Sequence, residues 1–125
     1  MERRVVITGL GAITPIGKDV NESWNSILNK KCGIDNISLF DNSTFKTKVD
    51  AEVKNYEPQE YFDLKQSKRL DRSSQFAIIA SKEAFKDSGI TKENTDFERV
   101  GVFVSSGIAG LSTIQEQCTI NCTKG

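Results

Sequence analysis

Hydrophobic and polar residues follow one another along this chain in patterns that predict both strands and helices. Two apolar runs, at residues 5–7 (VVI) and 100–104 (VGVFV), are rich in β-branched residues and are bounded by turn residues. Runs of this kind are typical of strands that are buried on both faces of a parallel or mixed sheet. We call them the first and second apolar runs. The rough alternation at residues 45–53 (FKTKVDAEV) predicts a third, half-exposed strand.

Apolar residues at helical spacing predict helices between and after these strands. Residues 19–31 form one such segment, which Asp19 or Asn21 can cap and in which Trp24 is expected to face the core. The clearest helix is predicted over residues 75–87 (QFAIIASKEAFKD), with Gly89 as a natural stop. Shorter helical patterns occur near residues 60–65 and from Leu111 onwards. Together with the apolar runs, these helices predict an α/β fold.

Residues 9–17 (GLGAITPIG), here called the glycine loop, allow two interpretations. A dinucleotide-binding loop requires G-x-G-x-x-G, but Thr14 stands where the third glycine should be, and Pro15 stiffens the turn. Alternatively, the glycines allow the chain to turn with positive φ. The incomplete motif favours the second interpretation.

Composition narrows the possible functions. At 125 residues the chain forms one domain at most, and its 17 basic and 17 acidic residues cancel. We therefore expect no overall field that would attract nucleic acid or an anionic membrane. No apolar run is long enough to span a membrane, and the first strand begins too early for a signal peptide. Three cysteines without metal-ligand spacing, Cys32, Cys118 and Cys122, predict reduced thiols, no metal site and a cytoplasmic location.

The sequence contains no histidine. A Ser-His or Cys-His catalytic pair therefore cannot form within this chain. The one strongly basic cluster, residues 65–72 (KQSKRLDR), has four cations and one anion. By composition alone, such a cluster is typical of a solvated surface.

The order of several motifs is more specific than any one of them. RRVVITGLGAITPIG at residues 3–17 is followed by SWNSIL, GI, FD, KRLDRSSQ, AFKDSG, RVGVFV and SGIAG, at residues 23–28, 33–34, 40–41, 68–75, 84–89, 99–104 and 106–110. In these motifs and their spacing, the whole chain resembles the β-ketoacyl-[acyl-carrier-protein] synthases, most of all the synthase II type.

This resemblance implies a fold, a reaction and partners. Residues 1–125 would be the N-terminal portion of the first half of a thiolase-like layered fold, incomplete and ending before the nucleophile. The family condenses an acyl thioester with malonyl-carrier protein by decarboxylation in fatty-acid elongation, using a cysteine and two histidines that all lie beyond Gly125. No catalytic residue is therefore expected in this chain. The resemblance further implies a homodimer and no cofactor besides the phosphopantetheine of acyl carrier protein.

The same resemblance assigns two roles within the chain. Lys65, Lys68 and Arg69 match a basic patch that docks the acidic carrier protein, and Ile108 matches a residue that gates the acyl pocket. An incomplete fold is also expected to expose more apolar surface than a monomer normally does. The alternatives are a non-catalytic fragment or interaction module derived from such a synthase and, as a further parent, a polyketide-type synthase.

Overall fold

The computed structural model describes residues 4–124, so Arg3, the first residue of the N-terminal motif, lies outside the described residues. The described residues form four α-helices, two short strands and two 3₁₀ turns. In chain order these are α1 Val20–Leu28, β1 Asp35–Asn36, β2 Val49–Asp50, a 3₁₀ turn at Pro58–Glu60, α2 Leu64–Arg69, α3 Arg72–Asp87, a 3₁₀ turn at Phe97–Arg99 and α4 Leu111–Lys124. Helices α1, α3 and α4 confirm predicted helices, and Gly89 follows α3 with a φ of 65°.

The chain divides into two compact units. The first consists of Met1–Tyr56 and Ala80–Gly89, and the second of Glu57–Ile79 and Ile90–Gly125. Helix α3 thus contributes its first half to the second unit and its second half to the first. No helix among the described residues is both long enough and apolar enough to cross a membrane.

In the first unit, α1 packs its polar side against the glycine loop. Asp19 caps the helix, as expected, by accepting a hydrogen bond of 2.7 Å from the Glu22 N–H. Ser23 and Ser26 are buried; the Ser26 hydroxyl donates to the Ile16 carbonyl at 2.7 Å, and the Ser23 and Thr14 hydroxyls lie 2.9 Å apart. The prediction that Trp24 lies in the core is wrong, because the serine side faces inward and leaves Trp24 58% exposed.

The second half of α3 holds the other side of the glycine loop through two carboxylates. Glu83 accepts the N–H groups of Ala12 and Val20, each at 2.9 Å, and Asp87 accepts that of Leu10 at 2.9 Å. Acidic side chains thus occupy backbone donors that a phosphate-binding loop would offer to its ligand. This arrangement argues against the dinucleotide interpretation.

Gly9 and Gly11 are needed for close approach rather than for positive φ. A Cβ atom at Gly11 would overlap the backbone of Ala80, and one at Gly9 would overlap that of Ala84. Among the described residues, the glycines with positive φ are Gly89 and Gly110. The glycine loop therefore lacks side chains where the backbone of α3 touches it.

The strands predicted from the two apolar runs are absent from the described residues. Residues 5–7 and 100–104 carry no strand pairing, and Val5 and Phe103 are 86% and 96% exposed. A strand exists only through hydrogen bonds to a neighbouring strand, and the described residues provide none here. The prediction of two buried strands is therefore wrong for this chain, whereas the expected exposure of apolar residues is confirmed.

The third predicted strand is much shorter than expected. Of residues 45–53, only Val49–Asp50 pairs, antiparallel to Asp35–Asn36, with Asp35 opposite Asp50. Further hydrogen bonds in this segment are made by Glu52. Its buried carboxylate accepts hydrogen bonds from the N–H and hydroxyl of Ser38 and from the N–H of Leu39. The Ser38 side-chain hydrogen bond lowers the pKa of Glu52. The fold is thus mixed, with helices predominating and few strands.

Candidate functional site

The three cations predicted to dock a carrier lie together on the short helix α2 of the second unit. Lys65, Lys68 and Arg69 are spaced at i, i+3 and i+4, which places them on one side of the helix. All three are exposed. We call this surface the basic face. The sequence prediction expected a helix near residues 60–65; the structure instead has a 3₁₀ turn at Pro58–Glu60, and α2 begins at Leu64.

Two features of the local sequence fix where α2 begins and ends. Asp63 caps its N-terminus by accepting a hydrogen bond of 2.7 Å from the Gln66 N–H. At the other end, Leu70 leaves the helical conformation, with φ −93° and ψ 128°, while its N–H still bonds to the Gln66 carbonyl. Lys68 and Arg69 occupy the last turn, where positive charge complements the negative end of the helix dipole.

Asp71 follows Arg69 by two residues and caps the N-terminus of α3. Its carboxylate accepts the N–H groups of Ser73 and Ser74 at 2.8 and 3.1 Å, and it also accepts their hydroxyls at 2.6 and 3.0 Å. These bonds, the Ser73 side-chain bond above all, hold the pKa of Asp71 below its ordinary value. A Cβ atom built on Gly110 would lie 3.5 Å from the Asp71 carboxylate, so the same charge lies near the start of α4.

Gln75 holds the end of α2 from within α3. Its side chain is 4% exposed, and Nε2 donates to the carbonyls of Ser67 at 3.0 Å and Leu70 at 2.8 Å. These carbonyls belong to the last turn and the C-cap of α2, where carbonyls lack partners within a helix. The Leu70–Asp71 junction is thus fixed on both sides by buried or part-buried hydrogen bonds.

Ile108, the predicted acyl-pocket residue, lies in the loop before α4. Its side chain is 75% exposed, so the described residues do not enclose an apolar pocket around it. Helix α4 carries no buried residue in the part of the chain that the structure describes.

Within residues 4–124, no three or more Cys, Asp or Glu side chains come together in a way that could hold a metal ion. Cys32, Cys118 and Cys122 are free and exposed. Cys118 and Cys122 lie one turn apart on α4.

Sequence reasoning did not identify Asp71 and Gln75 as the residues that organise this site. The Asp71 signal is present, because Asp-Arg-Ser-Ser places an N-capping carboxylate before two residues whose N–H groups need acceptors. Gln75 has no comparable signal, because a glutamine on a helix gives no indication of which carbonyls it will reach.

Comparison with known proteins gives the chain a family. Residues 2–122 match the family model of the β-ketoacyl synthase N-terminal domain. The chain is 39% identical over 113 residues to 3-oxoacyl-[acyl-carrier-protein] synthase 2 of Staphylococcus aureus strain N315, covering 90% of this chain and 27% of that protein. It is 40% identical over 124 residues to the Coxiella burnetii protein of the same name, covering 99% of this chain and 30% of that protein.

A cyanobacterial relative gives the same picture. The chain is 37% identical over 124 residues to 3-oxoacyl-[acyl-carrier-protein] synthase 2 of Synechocystis sp. strain PCC 6803, covering 99% of this chain and 30% of that protein. The chain spans less than a third of the length of these curated relatives. Because the family model covers nearly all of its residues, the chain belongs to the β-ketoacyl synthase family and matches its N-terminal domain.

Proposed function

We propose that this chain is the N-terminal portion of a 3-oxoacyl-[acyl-carrier-protein] synthase of fatty-acid elongation. The supporting observation is the family match over residues 2–122, together with relatives that carry this name and are about three times as long. In this proposal the whole protein condenses an acyl thioester with malonyl-carrier protein and loses carbon dioxide. The nucleophilic cysteine and both histidines come from sequence beyond this chain, which itself contains no histidine.

Within this chain, we assign the basic face to docking of acyl carrier protein. Lys65, Lys68 and Arg69 are exposed, lie on one side of α2 and have no acidic residue among them in the helix. Clustered cations attract a partner with acidic helices over a distance of about one Debye length, roughly 8–10 Å at moderate salt. The phosphopantetheine of the carrier then supplies the thioester, and no further cofactor is required.

Ile108 is assigned to the acyl pocket of the complete protein. An apolar, β-branched side chain suits a residue that gates the pocket of an alkyl chain. Its χ1 rotation is restricted, and its surface is apolar like that of the alkyl chain. The substrate gains about 0.8 kcal/mol for each methylene that such a pocket buries. The homodimeric state, which rests on the family resemblance, and the cytoplasmic location, which rests on the cysteine content, complete the proposal.

Charge reversal tests the docking assignment. In the full-length protein, the double variant Lys68→Glu/Arg69→Glu should weaken binding of holo acyl carrier protein at least tenfold at low salt, because attraction becomes repulsion. Titration calorimetry at two salt concentrations measures this, and the difference from the native protein should shrink at high salt.

A matched control separates docking from net charge. Lys92→Glu/Lys124→Glu makes the same change in charge at two exposed positions outside α2. It should leave carrier affinity within about twofold of the native value. Equal weakening by both double variants, or none by the first, would overturn the assignment.

A non-catalytic interaction module derived from such a synthase is the second candidate, and it is favoured if the native protein contains no cysteine and histidines beyond these 125 residues. The intact mass of the native protein, identified through the tryptic peptide of residues 73–82, distinguishes the two. A mass about three times that of this chain supports the synthase. A mass equal to that of 125 residues supports the module.

A further inference from the structure

We infer that Gln75 is a positioning residue for carrier docking, because it holds the basic face in place from helix α3. This inference rests on the proposed function of the basic face. Gln75 itself is 4% exposed, so it does not meet the carrier directly.

The first argument is the weakness of α2 by itself. The helix has six residues, well below the roughly 12–15 at which an isolated helix becomes stable in water. Its three cations are exposed and contribute no apolar burial that would order it. The orientation of the basic face therefore depends on contacts that tie α2 to its neighbours in the second unit, which include the 3₁₀ turn at Pro58–Glu60 and the Gln75 side chain.

The second argument is the geometry of the Gln75 amide. A glutamine NH₂ group has two N–H donors, and here Nε2 reaches two carbonyls, those of Ser67 and Leu70, at 3.0 and 2.8 Å. One carbonyl lies inside the last turn of α2 and the other at its C-cap. A single buried side chain thus spans the turn that carries Lys68 and Arg69.

The third argument is that Gln75 is itself firmly placed. It lies in the first turn of the 16-residue helix α3, its N–H donates to the Asp71 carbonyl at 3.0 Å, and the carboxylate of Asp71 caps the same turn. Loss of the amide would leave two buried or part-buried carbonyls without their donor while α3 stays capped. The last turn of α2 would then unfold more often, and the basic face would adopt its docking orientation for a smaller fraction of the time.

Two substitutions in the full-length protein test this inference. Gln75→Met keeps the length of the side chain but removes both donors. It should weaken affinity for holo acyl carrier protein roughly threefold to tenfold, the range expected for lost buried hydrogen bonds. The salt dependence of binding should also become shallower, because a disordered α2 presents fewer cations at once. Gln117→Met, the same change at an exposed position on α4, should leave both quantities unchanged.

Gln75→Glu supplies a second readout, because its ability to donate a hydrogen bond depends on pH. An ionised carboxylate cannot donate to the two carbonyls, whereas the protonated acid donates one O–H. Hydrogen bonding to the neutral form raises the pKa of this introduced carboxyl, so the bond is gained as the pH falls. Carrier affinity of Gln75→Glu, relative to the native protein at each pH, should therefore recover towards acidic pH. Gln75→Met should show no such recovery.

A measurement on the native protein decides the matter if both variants fail to fold. In NMR hydrogen-exchange measurements, binding of the acyl carrier protein should slow exchange of the Gln75 Nε2 protons and of the Leu70 N–H by the same factor. Unequal slowing, or none, would overturn the inference, as would Gln75→Met with native affinity and native salt dependence. If reversal of the basic face leaves binding intact, the proposed function fails. If reversal weakens binding while Gln75→Met does not, only the present inference fails.

Discussion

Two loops in this chain have the same plan in sequence but different surroundings in the structure. In each, an apolar run leads into a glycine-containing loop and then a helix: residues 5–7 into the glycine loop and α1, and residues 100–104 into residues 105–110 and α4. The glycine loop is held by the carboxylates of Glu83 and Asp87 and by the hydroxyl of Ser26. The loop before α4 leaves Ile108 exposed, and no residue of α4 is buried among the described residues.

The contrast shows that polar anchors rather than the apolar runs give this chain its order. Buried backbone N–H and carbonyl groups must find partners, and in the first unit Glu83 and Ser26 supply them. Both apolar runs, by comparison, are left exposed. The glycine loop is held by hydrogen bonds to dedicated side chains, while the loop before α4 leaves its apolar neighbours exposed.

The largest expected effect is on the close contact between the glycine loop and α3. Gly11→Leu should unfold the first unit or destabilise the chain by more than about 3 kcal/mol, because its Cβ would overlap the Ala80 backbone and both segments would have to move. Chemical denaturation followed by circular dichroism measures this. Gly107→Leu is the matched control, because a Cβ at Gly107 meets nothing within 4 Å. Equal effects of the two substitutions would remove the distinction between the loops.

A smaller effect is expected from Glu83, which accepts two backbone N–H groups at once. Glu83→Ala should lower the free energy of unfolding by about 1–3 kcal/mol, the cost of leaving part-buried donors unsatisfied. Glu116→Ala, on the exposed helix α4, should change it by less than about 0.5 kcal/mol. Denaturant midpoints of the two variants give the comparison. Stability at the native level for Glu83→Ala would show that the carboxylate does not anchor the loop.

The smallest effect is expected in the second apolar run. Phe103 is 96% exposed, so Phe103→Ser should change the free energy of unfolding of the 125-residue chain by less than about 0.5 kcal/mol. Loss of about 3 kcal/mol or more, as for a phenylalanine removed from a core, would mean that this run is buried in solution. The contrast between the two loops would then be wrong.

Local patterns predicted the helices but not the strands. The apolar period of residues 75–87 and the capping residue Asp19 are sufficient to locate α3 and α1, because a helix satisfies its backbone within itself. The apolar runs required partner strands that the described residues do not supply. The prediction for Trp24 was wrong for a related reason. Helical spacing identifies an apolar side of α1, but hydrogen bonds from the serine hydroxyls of α1 to the glycine loop determine which side faces inward.

The candidate site was likewise only partly visible in the sequence. The clustering of Lys65, Lys68 and Arg69 follows from their i, i+3, i+4 spacing once a helix is assumed. Their role, and that of Ile108, came from the family resemblance and stays a prediction. The tie between Gln75 and the carbonyls of Ser67 and Leu70 joins two helices across a bend, and no local pattern specifies such a contact.

The carboxylate anchors of the glycine loop also bear on how the chain folds during its synthesis. The N–H groups of Ala12 and Leu10 lack their acceptors until Glu83 and Asp87 have been synthesised. These two residues follow 71 and 77 residues later in the sequence. At ribosomal rates of about 5–20 residues per second, these delays are roughly 4–15 s. The glycine loop therefore emerges before its acceptors exist, and it can close on α3 only after residues 83–87 have been made.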